Sequence, residues 1–129
     1  MTLDLPAADR RSTLLQTLTY FTVFVALGLG GVTLGPTLQG LASNTGSTLG
    51  QISVVFAARS LGYMIGSFVA GRVYDRRAGH PVIAVLRVVM SVTLGLVPLM
   101  PLLALLVAVL FVLGLAEGGV DVGGNTMLV

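Results

Sequence analysis

Long apolar stretches separated by short polar segments dominate this chain. No Asp, Glu, Lys or Arg occurs from Ser12 to Ala58, and none occurs from Val88 to Ala116. About 20 predominantly apolar residues are enough for an α-helix to cross the hydrocarbon core of a bilayer. The pattern therefore predicts four membrane-spanning helices, at about residues 14–38, 49–73, 81–97 and 102–129.

The connections between these helices carry the residues that interrupt regular structure. Residues 39–48 are rich in Gly, Ser, Thr and Asn, residues 71–80 are charged, and residues 98–101 begin and end with proline. Such clusters are typical of loops and turns. Pro36 is expected to end or kink the first helix, and residues 1–13 are expected to form a short segment that precedes it.

Small residues recur at a spacing of four within the predicted helices. Such strips let two helices approach closely when lipid removes the hydrophobic drive between them. Close packing is therefore their expected role. The strips are Gly31 and Gly35; Gly62, Gly66 and Ala70; Gly114 and Gly118; Gly119 and Gly123.

Composition excludes a soluble protein and several classes of function. Hydrophobic residues make up 55% of the 129 residues and charged residues only 9%, against about 25% charged in soluble domains. The basic residues lack the stripe of a nucleic-acid-binding surface, so no nucleic acid is expected. Cysteine is absent, and the sequence has neither a Ser, His and acid set nor metal-ligand spacing. We expect no enzyme, no metal and no cofactor.

The arginines predict how the chain is oriented. Arg10 and Arg11 precede the first helix, and Arg72, Arg76 and Arg77 surround the connection after the second. Short cytoplasmic loops hold an excess of basic residues. The amino terminus and the 71–80 loop are therefore predicted to be cytoplasmic in a multi-pass protein of the plasma or inner membrane.

Four polar residues within the apolar helices are the candidate functional residues. An isolated charge at the centre of a membrane helix costs roughly 2.5–3.5 kcal/mol, so such residues usually face a bundle interior or a cavity. Glu117, Asp121 and Asn125 lie at i, i+4 and i+8, on one stripe of the fourth helix. With Arg59 in the second helix they could line a solute or ion pathway. We expect Arg59 to lie inside the bundle within reach of an acid, Asp121 or Glu117. That pair could instead serve only to fix helix packing.

The cytoplasmic connection also carries a motif. Its sequence from Gly71 to His80 is G-R-V-Y-D-R-R-A-G-H, with Asp75, Arg76, Arg77 and Gly79 at its centre. On physical grounds alone it could be an ordinary charged hairpin. It resembles the signature loop between helices two and three of the major facilitator superfamily, although its second glycine stands one residue further from Asp75 than usual.

Three further motifs strengthen this resemblance. They are Leu34-Gly-Pro-Thr37, Ala58-Arg-Ser-Leu-Gly-Tyr63 with Gly66-Ser67, and Asp121-Val-Gly-Gly-Asn125. Together they resemble the sodium-dependent glucose transporter branch. The fourth helix is also similar to that of bacterial fucose:proton symporters, but the acid that those symporters carry in helix one is missing here.

The resemblance implies a fold and a function. The fold would be all-α, with four transmembrane helices forming part of the N-terminal six-helix half of a twelve-helix transporter. Asp121 and Asn125 match positions that face the central cavity, and Asp75 and Arg76 match a loop that latches the outward-facing state. The implied function is secondary active transport of a sugar or similar small polar solute by alternating access, with Na⁺ or H⁺ as the candidate coupling ion.

The end of the chain adds an expectation about partners. The sequence stops within an apolar run at Met127-Leu-Val129, which indicates truncation at the C-terminus. Besides the bilayer and the solute, the expected partners are the missing C-terminal helices or a separate chain that supplies them. Two alternatives remain: a complete four-helix exporter that acts as a dimer, and a non-transporting membrane subunit that binds partner helices.

Overall fold

The described part of the chain consists almost entirely of helices. The computed structural model describes residues 7–76 and 79–127. Four segments within these ranges are long and apolar enough to span a membrane, in agreement with the predicted all-α membrane fold. The helices are α1 (Ala7–Thr45), α2 (Leu49–Ile52), α3 (Val54–Tyr74), α4 (Gly79–Leu96) and α5 (Leu103–Met127), with a 3₁₀ turn at Val97–Leu99.

The first helix is longer than the sequence predicted. It continues through Pro36, so of the two outcomes expected for this proline, an end or a kink, the structure excludes the end. Proline removes one backbone hydrogen bond, a loss that membrane helices tolerate. The polar segment after it also stays helical, because Ser43 Oγ donates to the Gln39 carbonyl (3.1 Å) and Thr45 Oγ1 donates to the Leu41 carbonyl (2.8 Å).

The turn after α1 is three residues long rather than ten. Gly46 has a φ of 62°, the left-handed conformation that favours glycine. The Ser47 N–H donates to the Ala42 carbonyl (2.9 Å) and the Gly46 N–H donates to the Ser43 carbonyl (3.3 Å), the two bonds of a Schellman cap. Thr48 then begins the next helix with a capping box to Gln51.

The second span begins at the predicted residue but is interrupted once. Ser53 separates α2 from α3, and its hydroxyl donates to the Gly50 carbonyl (2.6 Å). The span then continues to Tyr74. The third and fourth spans begin and end within a few residues of the predicted positions.

Helix α5 lies at the centre of the core. Its fully buried side chains include Leu106, Leu110 and Leu113, whereas large apolar side chains of α1 such as Phe21 and Leu29 are exposed. In a membrane protein, the buried apolar face of a helix packs inside the bundle. The exposed apolar face contacts lipid or further helices.

Glycines allow α3 and α5 to approach closely. A Cβ at Gly62 would overlap the Phe111 carbonyl, and one at Gly66 would overlap the Leu115 carbonyl. On α5, a Cβ at Gly114 would overlap the Arg59 carbonyl and one at Gly118 the Tyr63 carbonyl. These strips therefore have the packing role that their spacing predicted.

Replacing Gly114 by Val is expected to force α3 and α5 apart. The added side chain has no space against the Arg59 carbonyl, and overpacking of this kind costs about 1–3 kcal/mol or more. Thermal unfolding in detergent, followed by circular dichroism, measures the loss. Gly95→Val is the matched control, because a Cβ at Gly95 has no atom within 4 Å and the change in helix propensity is the same. Equal melting temperatures for the two variants would contradict the packing argument.

Candidate functional site

A cavity of about 460 Å³ lies between α1, α3 and α5. It contains three of the four candidate residues that the sequence singled out in the membrane helices, together with aromatic and small side chains. Its lining residues are Phe24, Leu27, Gly28, Phe56, Arg59, Ser60, Tyr63, Glu117 and Asp121.

Arg59 and Glu117 form a buried ion pair at one wall of this cavity. Arg59 Nε donates to Glu117 Oε2 at 2.8 Å, and Arg59 Nη2 donates to Oε1 at 2.6 Å, so the pair is bidentate. The side chains are 13% and 5% exposed. Arg59 Nη1 also donates to the Gly31 carbonyl of α1 at 3.3 Å. The prediction that Arg59 lies inside the bundle beside an acid is confirmed, and the acid is Glu117.

A second polar group lies one helical turn further along the same two helices. The Tyr63 hydroxyl donates to Asp121 Oδ2 at 2.6 Å. Asn125 Nδ2 donates to the Asp121 carbonyl at 3.0 Å and to Oδ1 at 3.4 Å. Asn125 is exposed and does not line the cavity. Tyr63 was not a candidate in the sequence analysis, although its i, i+4 spacing from Arg59 places it on the same face of α3.

The glycine contacts explain why these side chains meet. Helices α3 and α5 run in the same direction, because residues 59 and 63 pair with residues 117 and 121 in the same order. Gly114 and Gly118 bring the α5 backbone against the Arg59 and Tyr63 carbonyls of α3, each three residues before the acid that pairs with the same α3 residue. The close approach lets a carboxylate on α5 reach α3 directly, without an intervening water.

The charges in the cavity do not balance. Arg59 contributes one positive charge, and Glu117 and Asp121 contribute one negative charge each when ionised, which leaves a net charge of −1. Among the side chains that the structure describes within residues 12–76 and 79–126, Arg59–Glu117 is the only ion pair, so Asp121 has hydrogen bonds but no cationic partner there. A carboxylate without a cationic partner that lines a cavity between membrane helices is a candidate for an ion pathway.

The predicted signature loop is only partly described. The Asp75 N–H donates to the Gly71 carbonyl at 3.2 Å and ends α3, while Gly79 is buried at the start of α4. Asp75 and Arg76 are exposed and form no ion pair with the side chains that the structure describes in residues 12–76 and 79–126. Arg77 lies outside the described residues.

Metal binding finds no support in the described residues. No group of three or more His, Cys, Asp or Glu side chains among them is arranged to hold a metal ion.

Comparisons with known proteins identify relatives along nearly the whole chain. The family model described as Major Facilitator Superfamily matches residues 17–129. The chain is 31% identical over 119 residues to sodium-dependent glucose transporter 1 of Rattus norvegicus, covering 88% of this chain and 25% of the relative. It is 37% identical over 116 residues to major facilitator superfamily domain-containing protein 4B of Danio rerio, covering 88% and 22%. It is 36% identical over 121 residues to major facilitator superfamily domain-containing protein 4A of Homo sapiens, covering 92% of this chain and 23% of the relative.

The chain thus spans about a quarter of the length of the curated relatives it matches. No solved structure matches it.

Proposed function

The chain belongs to the major facilitator superfamily, and we propose that it forms part of a secondary transporter that moves a sugar or similar small polar solute across a membrane by alternating access. The single observation that carries the proposal is the polar cavity between α1, α3 and α5. Relatives named as sodium-dependent glucose transporters support the choice of solute.

The chemistry of the cavity suits a polyhydroxylated solute. Its volume of about 460 Å³ falls within the range of roughly 300–1,000 Å³ common for ligand pockets. Carboxylate oxygens accept hydrogen bonds from sugar hydroxyls, and the Arg59 guanidinium donates to sugar oxygens. Phe24 and Phe56 are aromatic side chains that can pack against the C–H face of a sugar ring.

Asp121 is the proposed site of ion coupling. A neutral sugar leaves the net charge of −1 in the cavity uncompensated, so a bound Na⁺ or H⁺ is needed to neutralise it. Tyr63 and Asn125 hold the Asp121 carboxylate in place, and the Arg59–Glu117 pair supplies polar groups without changing the net charge.

The proposal extends to orientation and partners. The distribution of arginines supports a cytoplasmic amino terminus in the plasma or inner membrane. The partners are the lipid bilayer, the solute, and further helices, either from the same transporter or from a separate chain, that complete the pathway. The signature loop, with Gly71, Asp75 and Arg76, would contact those helices at the cytoplasmic surface and latch the outward-facing state.

Uptake into vesicles tests the proposed function. The protein is tagged at its amino terminus and purified from its own cells, so that any helices that follow residue 129 are retained. Proteoliposomes should accumulate radiolabelled glucose or another hexose when an inward Na⁺ or H⁺ gradient is imposed, and protein-free liposomes should not. Absence of uptake for a panel of hexoses and polyols under both gradients would contradict the proposal and favour a non-transporting subunit.

A second preparation tests the remaining alternative, a complete four-helix exporter that acts as a dimer. Proteoliposomes that contain residues 1–129 alone should show no uptake. Gradient-driven transport by these vesicles would instead support a small exporter that functions as a dimer.

A further inference from the structure

Arg87 is an arginine in a membrane helix that has no counterion among the described side chains. Arg59 is neutralised by Glu117, and the Arg72 guanidinium lies 4.0 Å from the centre of the Phe68 ring. Arg87 is half-buried in α4 and has no acidic partner in the part of the chain that the structure describes. It stands eight residues after Gly79, about 12 Å along the helix. A charge at this depth is costly unless an anion or polar surroundings compensate for it.

Two adjacent cavities lie beside Arg87 in a groove between α1 and α4. We call the cavity near the amino-terminal end of α4 the outer part of the α1–α4 groove, and the cavity further along α4 the inner part. Their volumes are about 320 and 420 Å³. Both are lined by Thr19 and Arg87, so they adjoin at these two side chains. The outer part is also lined by Leu15, Gln16, Tyr20, His80, Ile83 and Ala84, and the inner part by Thr22, Ala26, Leu27, Met90, Ser91, Leu94 and Val120.

The groove changes character along its length. Near the amino-terminal end of α4 it offers side chains that can donate hydrogen bonds, including Gln16 and His80. Further into the bilayer, large apolar side chains such as Met90, Leu94 and Leu27 form much of its lining. A polar region followed by an apolar region matches the order of headgroup and acyl chain in a phospholipid.

The direction of the Arg87 side chain agrees with this arrangement. Helical side chains lean towards the amino terminus of their helix, which for α4 is the end that carries His80. This end follows the arginine-rich 71–80 loop, so it lies at the predicted cytoplasmic surface. The guanidinium can therefore extend towards the headgroup region while its aliphatic part stays in the groove.

The borders of the groove carry exposed apolar side chains. Val85 and Val88, which flank Arg87 on α4, are 62% and 63% exposed, and Leu15 and Leu18 on α1 are exposed to a similar degree. Where these surfaces contact lipid, a molecule in the groove can exchange with the bilayer.

We propose that the α1–α4 groove binds an anionic phospholipid of the cytoplasmic leaflet, with its phosphate at Arg87 and one acyl chain in the inner part. The phosphate supplies the missing negative charge, and the guanidinium provides donors in a geometry that suits phosphate oxygens. Basic pockets between membrane helices on the cytoplasmic side are suited to such headgroups. This site reaches α4 whereas the transport cavity reaches α3, and Leu27 of α1 lines both.

Native mass spectrometry of the full chain in detergent tests the site. Dioleoylphosphatidylglycerol and dioleoylphosphatidylcholine are added in equal amounts, and retained lipid adducts are counted. Arg87→Gln should lower the ratio of phosphatidylglycerol to phosphatidylcholine adducts about fivefold, since an arginine near an anionic lipid contributes about 1 kcal/mol. Arg72→Gln is the control, because it removes an arginine of the same predicted membrane face that lies outside the groove and should leave the ratio nearly unchanged.

Two further variants keep the result independent of folding defects. Arg87→Lys retains the charge and should retain most of the preference. Ala26→Phe fills the inner part of the groove without touching Arg87, and it should reduce binding of both lipids. Unchanged lipid binding in Ala26→Phe, or an unchanged ratio in Arg87→Gln, would overturn the proposal.

The source of the anion and the occupant of the groove are tested separately. Excess inorganic phosphate should not displace phosphatidylglycerol; displacement would indicate a site for free phosphate instead. Photoactivatable phosphatidylglycerol, incubated with native membranes, should crosslink to the peptide that contains Arg87 and Met90. Absence of this crosslink, with crosslinking elsewhere on the chain, would show that another helix occupies the groove and would overturn the lipid assignment.

Discussion

Glu117→Gln is expected to lower the free energy of unfolding by about 3–5 kcal/mol, because it leaves the buried Arg59 guanidinium without its counterion. Glutamine has nearly the size of glutamate, so the packing of α3 against α5 is retained and the loss reports on charge. Chemical or thermal unfolding of the full chain in detergent, followed by circular dichroism, measures the effect. Arg59→Gln should cost a similar amount, since it leaves the Glu117 carboxylate unpaired.

A double variant distinguishes an ion pair from two independent contributions. Arg59→Met combined with Glu117→Met removes both charges and replaces them with apolar side chains, an exchange that is often neutral or stabilising for buried pairs. Its stability should therefore be much closer to that of the unmodified protein than the single variants are. Asp121→Asn is the matched control for charge removal, because Asp121 has no ionic partner among the described residues. Losses in the double variant equal to the sum of the single losses would contradict the pairing.

The number and approximate positions of the membrane helices could be predicted because hydropathy alone determines them. Lipid accepts a helix of about 20 apolar residues and excludes unpaired backbone groups. The ends of α1 could not be predicted in this way, because Ser43 and Thr45 look like loop residues in sequence. Their hydroxyls satisfy carbonyls of their own helix instead. Gly46 was the better signal, because only it has the positive φ that ends the helix.

The partner of Arg59 could be narrowed by sequence to two acids but not chosen. Glu117 and Asp121 lie on one stripe of α5, and the choice depends on how far α3 is shifted along α5. The glycine strips set that shift, since Gly114 packs against the Arg59 carbonyl and Gly118 against the Tyr63 carbonyl. With Arg59 opposite Glu117, a four-residue step on both helices brings Tyr63 opposite Asp121. Tyr63 could thus have been identified only after the register was known.

Asn125 shows the limit of an argument from spacing. It shares the stripe of Glu117 and Asp121, as predicted, yet its amide donates to the Asp121 carbonyl one turn earlier in its own helix. A short polar side chain can bond locally to backbone as easily as it can reach a neighbour. The spacing predicted on which face of the helix Asn125 lies. The local hydrogen bond explains why its amide points along the helix.

Asp121→Asn is expected to abolish ion-coupled uptake while leaving insertion and stability nearly intact. The change removes the uncompensated charge of the cavity but keeps the size of the side chain and an oxygen that can accept from the Tyr63 hydroxyl. Without that charge, the cavity has no net attraction for Na⁺ or H⁺, so uptake should no longer respond to the gradient of either ion. The measurement is hexose uptake in proteoliposomes of the protein purified from its own cells, with and without the gradient, at matched amounts of reconstituted protein.

Two matched variants separate coupling from positioning. Tyr63→Phe keeps the ring and removes the donor to Asp121, so gradient dependence should remain but a higher ion concentration should be needed for half-maximal uptake. Asn125→Ala removes an amide that contacts Asp121 Oδ1 at 3.4 Å, and it should weaken solute affinity severalfold without removing the ion dependence. Because Asp121→Asn retains the hydrogen-bonding shape that both variants disturb, it should be the only one of the three to lose coupling. Uptake by Asp121→Asn at the unmodified level, with unchanged ion dependence, would show that this acid stabilises the helix bundle and that the coupling ion binds elsewhere.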